Sequence, residues 1–221
     1  MVEIIKRNRA LAYLKTHNYD AALKDTGYPA LDVKSSEKAL FRAAEALYHL
    51  RQFEECLDIS KKLITGHPNL PEAQALLNRT QNRVQEGKNG GYDFARLQRL
   101  AQQPRPPHLD QATYIGPIEV KQTVGKGRGV FLTKAVKAGD LLLCEKAFSH
   151  AHIDNKSSSM TMLMYPETNR GVMGGQANLI KQIAQKIQNN PSVAPEFTAL
   201  YSGKYPKVDV TEVDGQPIVD T

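Results

Sequence analysis

Three glycines alternate with basic residues in the segment VGKGRGVFL at 124–132, which makes it the first candidate for a binding site. Glycine permits positive φ angles and lets backbone N–H groups approach a ligand with no Cβ in the way. Lys126 and Arg128 place positive charges beside that backbone. The pattern is compatible with a loop that cradles a ligand and, equally, with a plain hairpin turn.

The residues after the glycines exclude two nucleotide-binding loops. A Rossmann loop must open a helix after a strand, whereas VFLT at 130–133 is rich in strand formers. A phosphate-binding loop ends in Gly-Lys-Ser/Thr, whereas Gly125 and Lys126 are followed by Gly127. We therefore expect the glycines to lie between two strands.

The surrounding elements are predicted to be short strands. IEVKQT at 118–123 alternates in polarity, and LLLCEKAF at 141–148 is rich in β-formers. KAGD at 137–140 has the residues of a turn. These signals predict a β-rich region on both sides of the glycines.

The segment GKGRGVFLTKAVKAGDLLLCEKAF at 125–148 resembles the opening signature of the SET domain of protein-lysine methyltransferases. The match covers the G-x-G-x-G core, the aromatic residue that follows it and the Ala-Gly-Asp turn. The resemblance implies that Lys126, Gly127, Arg128 and Gly129 form part of a pocket for S-adenosylmethionine. It also implies that the substrate is a lysine of a histone or of another protein.

The catalytic half of such a domain has no counterpart in these residues. The family uses an Asn-His motif and a later tyrosine, but no Asn-His pair occurs here. Tyr165, Tyr201 and Tyr205 lack a matching context, so no catalytic residue is assigned. We expect the chain to be inactive alone and to be an N-terminal or internal fragment of a longer protein.

A repeat of 34 residues marks the first part of the chain. THNYDAALKD at 16–25 is echoed by LRQFEECLDI at 50–59, and a period of 34 in helical sequence is typical of helix-turn-helix repeats. The second copy spans 37–70, and a third helix at 71–88 is predicted to cap the pair. Gly27 and Pro29 shorten the second helix of the first copy. The predicted helix-facing residues of the second copy are Leu40, Ala43, Ala44, Leu47, Phe53 and Cys56.

The repeat resembles the tetratricopeptide repeat, with an ordinary helical bundle as the alternative. One variety of that repeat is a carboxylate clamp that holds the acidic C-terminus of a chaperone, and Asn8, Lys38 and Arg42 match three of its positions. Lys38 and Arg42 lie four residues apart, and so on one helix face. The alternative is that both are solvated surface charges.

Composition restricts the remaining functions. The net charge of +6 is spread without a dense basic stripe, which argues against nucleic acid as a ligand. Cys56 and Cys144 are too few for a disulfide framework or a multi-cysteine zinc site, and they favour the cytoplasm or nucleus. His150 and His152 are interpreted as loop residues, with no metal expected. No run of residues is apolar enough for a membrane span.

The prediction is therefore an α+β multidomain chain. Its predicted regions are a tetratricopeptide-type helical domain at 1–88, a linker at 89–113, the N-terminal part of a SET domain at 114–148, and an insertion at 149–221. The linker contains a short helix at Phe94–Ala101 and a segment with Pro104, Pro106 and Pro107.

The insertion at 149–221 is expected to be partly flexible. It contains one amphipathic helix at 177–191, with an apolar face. The residues of that face are Leu179, Ile180, Ile183 and Ile187. A hairpin is predicted at the end of the chain, with Asp214 and Gly215 at its turn.

The combination of repeats and a SET signature resembles fungal proteins related to the SET and MYND group, without the MYND finger. That resemblance implies an S-adenosylmethionine-dependent protein-lysine methyltransferase whose repeats recruit a protein partner. The alternative is a non-catalytic adaptor that binds a peptide or a chaperone C-terminus.

Overall fold

The computed structural model describes residues 2–103, 109–151, 162–166, 169–200, 203, 212–213 and 216–217. The chain divides into two compact units, one made of 1–76 with 148–221 and the other of 77–147. The described residues contain both helices and small antiparallel sheets, which confirms the α+β class.

The helices are α1 (Val2–Lys15), α2 (Tyr19–Thr26), α3 (Glu37–His49), α4 (Phe53–Gly66), α5 (Pro71–Asn89), α6 (Phe94–Ala101), α7 (Gly175–Asn189) and α8 (Ala194–Thr198), with a 3-10 helix at Pro191–Val193. The strands are β1 (Tyr114–Ile115), β2 (Ile118–Thr123), β3 (Gly127–Leu132), β4 (Leu143–Cys144), β5 (Met162–Tyr165), β6 (Arg170–Met173), β7 (Glu212–Val213) and β8 (Gln216–Pro217). They pair as β1 with β4, β2 with β3, β5 with β6 and β7 with β8, all antiparallel.

Two successive helical hairpins form the start of the first unit, as the repeat predicts. Helix α1 packs on α2, and α3 packs on α4. Helix α2 ends at Gly27, whose φ of 87° only glycine adopts readily, so the predicted shortening is confirmed. The predicted helix at 71–88 is α5.

The core of the helical hairpins includes the six residues that the repeat pattern predicts, together with others such as Ile59 and Leu63. Five of the six are fully buried, and Phe53 packs against them. Alanines at 43 and 44 leave room for α4 to approach α3 closely. Burial of a leucine such as Leu40 or Leu47 stabilises the fold by about 1.5–3 kcal/mol.

A bidentate ion pair joins α1 to α2. The Arg9 Nε and Nη2 atoms donate to the two carboxylate oxygens of Asp25 at 2.6 and 2.7 Å. The hydrogen bond to Asp25 raises the pKa of Arg9 above its ordinary value, with the charge of Asp25 adding to the effect. Because Asp25 is buried, the pair neutralises a charge that would otherwise destabilise the hairpin.

The later part of the first unit includes a hairpin that sequence analysis missed. Strands β5 and β6 pair with Leu163 opposite Val172, and α7 packs on them. The predicted amphipathic helix is confirmed as α7, beginning two residues earlier than expected. Its predicted apolar face is half-buried or buried, with Ile187 the most enclosed.

Strands β7 and β8 agree with the predicted terminal hairpin, whereas Asp214 and Gly215 lie outside the described residues.

Asn190, just after α7, binds the turn between α1 and α2. Its Oδ1 accepts from the backbone N–H of Tyr19 at 2.6 Å, and its Nδ2 donates to the carbonyl of His17 at 2.9 Å. Next to it, the N–H and Oγ of Ser192 donate to the carboxylate of Asp20 at 2.8 and 2.7 Å. The first N–H groups of a helix lack partners within that helix, so Asn190 satisfies two of them, at Tyr19 and Asp20, from a distant part of the chain.

The second unit consists of the last part of α5, helix α6 and strands β1 to β4. Helix α6 and strand β2 have the predicted bounds. The predicted strand at 141–148 was wrong in extent, because only Leu143–Cys144 pairs with β1. Gly116 and Pro117 follow β1, and a proline cannot donate to a ladder, so the partner strand ends after two residues.

The end of the predicted linker is tied to α5. The Arg83 guanidinium donates to the Asp110 carbonyl and to the Glu86 carboxylate. The other Glu86 oxygen accepts from the Ala112 N–H at 2.9 Å, and the Tyr92 hydroxyl donates to the Ala112 carbonyl at 2.9 Å. Residues 109–113 therefore belong to the packed second unit. The prolines at 104, 106 and 107 lie outside the described residues, and the predicted domain boundaries stay a prediction.

None of the helices in the described part of the chain has the length and apolarity that a membrane crossing requires.

Candidate functional site

The predicted partner-binding residues surround a groove between α1 and α3. Two adjacent pockets of about 420 and 370 Å³ share Glu37 and Lys38 as lining residues. Asn8 and Lys38 line the larger pocket, whereas Lys38 and Arg42 line the smaller one. The structure thus places all three residues along one groove.

Arg7 is a cation in this groove that sequence analysis missed. Its Nη1 donates to Ser36 Oγ at 2.7 Å, and its Nε donates to the Glu3 carbonyl at 3.2 Å. Ser36 is the N-cap of α3, so Arg7 joins α1 to the start of α3 and lies in the pocket with Asn8 and Lys38. Its position directly before Asn8 is the only sequence signal, and adjacent helix residues do not normally share a face.

Arg42 lies deeper than Lys38. Its exposed fraction is 9%, and its Nη1 donates to the backbone carbonyl of Arg7. Burial lowers the pKa of Arg42 from its ordinary value, and the positive charge of Arg7 lowers it further. Arginine stays protonated in proteins, so the two guanidinium groups bring positive charge into the groove from both α1 and α3.

The smaller pocket combines apolar and charged groups and extends towards His49. Its other lining residues are Leu11, Leu14, Lys15, Glu37, Phe41 and Glu45. The His49 ring stacks on Tyr19 with 4.6 Å between ring centroids, and the Tyr19 hydroxyl lies 2.7 Å from Nδ1 of His17. Burial raises the pKa of Tyr19, and the charge of Glu45 raises it further.

The glycine-rich segment forms a tight hairpin, and most of it is strand. Thr123 pairs with Gly127 and Gln122 with Arg128, so the turn between the strands is only Val124, Gly125 and Lys126. The predicted strand start at residue 130 was therefore too late by three residues. The hairpin is mostly exposed, with an exposed fraction of 103% at Val124.

The glycines of this hairpin have local backbone roles. Gly125 and Gly127 have φ angles of 73° and 74°, which disfavour residues with a Cβ. A Cβ at either position would meet nothing within 4 Å. Gly129 differs, since a Cβ there would lie 3.1 Å from the Phe131 ring. The described structure therefore explains all three by turn geometry and by packing inside the hairpin.

The described residues show no group of three or more His, Cys, Asp or Glu side chains that could hold a metal ion. His150 is exposed and Cys144 is half-buried, whereas His152 lies outside the described residues.

Comparisons with known proteins give two relatives. Over 216 residues, or 97% of this chain, the sequence is 38% identical to a protein of Gibberella zeae named "Methyltransferase", and the chain spans 30% of that protein's length. Over 87 residues, or 39% of the chain, it is 33% identical to Protein unc-45 homolog B of Homo sapiens, in a match that covers 9% of the human protein. No protein-family model and no solved structure matches the chain.

Proposed function

We propose that this chain is part of an S-adenosylmethionine-dependent protein-lysine methyltransferase whose helical hairpins recruit a protein partner. The observation that carries the proposal is the 38% identity, over 97% of the chain, to the protein of Gibberella zeae named "Methyltransferase". The SET-like signature at 125–148, which begins in the turn of the β2–β3 hairpin, supports the same class. The substrate is a lysine of a histone or of another protein, in the cytoplasm or nucleus.

The β2–β3 hairpin supplies at most one edge of the cofactor site. Lys126 and Arg128 offer cations, and the glycines at 127 and 129 offer accessible backbone. However, open space around Gly125 and Gly127 means that the described residues do not enclose a ligand. They do not fit S-adenosylmethionine as a complete pocket.

Calorimetric titration with S-adenosylmethionine tests this proposal. We expect heat of binding from the full-length Gibberella zeae relative, together with transfer of a labelled methyl group from the cofactor to histones. This chain should give weak binding or none. Absence of heat and of methyl transfer with both proteins would contradict the proposal.

If this chain does bind, a matched pair of variants locates the site. Arg128→Gln should weaken binding, whereas Lys121→Gln on the same hairpin should not, since Lys121 forms an ion pair with Glu119 at 2.6 Å. Equal loss in both variants would place the cofactor elsewhere.

A second candidate function is adaptor binding of an acidic C-terminus, such as a chaperone tail, by the α1–α3 groove. The observation that favours it is the placement of Asn8, Lys38 and Arg42 along one groove. Positive charges and an amide in one groove suit a carboxylate, because a hydrogen bond that involves an ionised group is about twice as strong as a neutral one. Apolar residues in the smaller pocket would contact the side chains that precede that carboxylate.

Retention on an immobilised peptide with a free acidic C-terminus tests the adaptor function. The double variant Lys38→Ala, Arg42→Ala should lose retention, whereas Lys61→Ala on the exposed surface of α4 should keep it. A peptide with an amidated C-terminus should be retained poorly. Equal retention of the double variant and the unaltered chain would contradict this second function.

A further inference from the structure

We infer that Arg7 is the second cation that contacts a bound carboxylate in the α1–α3 groove, and that Arg42 is a positioning residue acting through the Arg7 backbone. The inference rests on the proposed binding of an acidic C-terminus. It assigns a contact residue that the repeat resemblance does not include.

The location of Arg42 argues for an indirect role. The residue lines only the smaller pocket, whereas Asn8 lies in the larger one. Its Nη1 donates to the Arg7 carbonyl, and the side chain is almost fully buried. A buried guanidinium that already donates to a backbone carbonyl is poorly placed to bind a carboxylate in the larger pocket. Its hydrogen bond instead sets the position of α1 against α3.

Arg7 has the properties that direct contact requires. It lines the larger pocket together with Asn8 and Lys38, and it is only half-buried. Hydrogen bonds to Ser36 Oγ and to the Glu3 carbonyl use two of its five N–H donors. Those bonds hold the side chain in place before the ligand arrives, which lowers the entropy lost on binding.

Local charge makes the site favourable for an anion. Arg7 and Arg42 repel each other, and the attraction of a carboxylate between Arg7 and Lys38 would offset this excess of positive charge. Glu37 opposes this effect, because it lines both pockets and would repel an incoming carboxylate. Whether removal of the Glu37 charge raises or lowers the peptide affinity is therefore a separate check on where the ligand carboxylate lies.

Fluorescence anisotropy on the full chain tests the assignment. The probe is a labelled short peptide that ends in Val-Asp with a free α-carboxylate, compared with its C-terminal amide. Arg7→Gln should weaken binding by about tenfold, or about 1.4 kcal/mol, similar to Lys38→Gln. The affinity of Arg7→Lys should lie between that of these two variants and that of the unaltered chain. Lysine keeps the positive charge and loses the planar guanidinium group. Glu37→Gln should tighten binding.

The Arg42 variants separate positioning from contact. Arg42→Gln should lower the melting temperature and weaken binding less than Arg7→Gln does, while leaving the salt dependence of binding unchanged. Arg7→Gln should reduce that salt dependence, because it removes a contacting charge. Lys24→Gln, on the exposed surface of α2, controls for the loss of one positive charge.

Two results would overturn the inference. If the unaltered chain binds and Arg7→Gln binds within twofold of it, the adaptor function survives and Arg7 is not a contact. If Arg42→Gln abolishes binding without lowering the melting temperature, Arg42 is the direct contact. Failure of the unaltered chain to bind either peptide would instead reject the adaptor function and this inference together.

Discussion

The α3–α4 helical hairpin and the β2–β3 hairpin were both expected from local sequence pattern, yet different forces hold them. Leu40 and Leu47 of α3 are fully buried, whereas Val120 and Val130, which face each other across the β hairpin, have exposed fractions of 64% and 63%. The helical pair is stabilised by apolar burial. The β hairpin depends on its ladder and on glycine geometry, so similar substitutions should affect the two very differently.

Truncation of a buried leucine should give the largest effect. Leu47→Ala should lower the free energy of unfolding by about 2–5 kcal/mol, because it leaves a cavity in the helical core. Val120→Ala should change it by less than about 0.5 kcal/mol, because its side chain is already largely in water. Urea unfolding followed by far-ultraviolet circular dichroism measures both. Equal losses would remove the distinction between the two hairpins.

Removal of the Asn190 side chain should give the next largest effect. Asn190→Ala leaves the N–H of Tyr19 and the carbonyl of His17 without their partner, at a cost of about 1–3 kcal/mol. Hydrogen exchange should become faster at the start of α2. Asn189→Ala is the matched control, since Asn189 makes a longer 3.4 Å bond to Thr16. Unchanged exchange in Asn190→Ala would show that α2 does not depend on this contact.

Gly127→Ala probes the β hairpin at the position where glycine matters. A Cβ at a φ of 74° costs about 1–2 kcal/mol, although the surrounding space is open. We expect weaker cross-strand contacts by NMR and an unchanged helical unit. As a control, Gln122→Ala on β2, at the position that pairs with Arg128 of β3, should leave the ladder intact. If the β2–β3 hairpin is as populated in Gly127→Ala as in the unaltered chain, the positive φ of Gly127 does not have the role described here.

Alkaline titration sharpens the comparison on the helical side. Because the folded state raises the pKa of Tyr19, it holds the proton more tightly than the unfolded chain does. The corresponding stability is present below pH of about 10, the ordinary tyrosine pKa, and is lost as the pH rises through the raised value. In Tyr19→Phe, the free energy of unfolding should therefore fall less steeply as the pH rises above about 10.

The control for this titration is Tyr13→Phe, which removes a hydroxyl elsewhere on the α1–α2 hairpin. Tyr19→Phe also removes the hydrogen bond to His17, so its stability at neutral pH should be slightly lower. An identical alkaline slope in Tyr19→Phe and the unaltered chain would contradict the raised pKa.

Sequence reasoning succeeded where the signal was local. Gly27 predicted where α2 ends, because helix termination depends on neighbours within a few residues. The 34-residue period predicted which faces of α3 and α4 are buried, because each copy repeats the same local spacing of apolar residues. It failed for β5 and β6, because MLMY and RGVM do not show the alternation of apolar and polar residues that predicts a half-buried strand. It also overestimated the strand at 141–148, whose length depends on the two residues of β1 that pair with it.

The candidate groove shows the same division. Asn8, Lys38 and Arg42 could be named from motif positions alone. Motif positions did not reveal that Arg42 is buried and holds the Arg7 carbonyl, or that Ser36 holds Arg7 beside Lys38. Those contacts join residues 29 and 35 positions apart and arise only when α1 packs against α3.

By itself, the sequence determined the α+β class, the helical hairpins and the glycine turn, because periodicity and backbone freedom act over a few residues. Tertiary structure decided that Asn190 caps α2, that Arg83 and Glu86 hold residues 110–112, and which cations share the groove. The physical reason is that a hydrogen bond or ion pair between distant residues forms only when packing brings its two partners within about 3 Å.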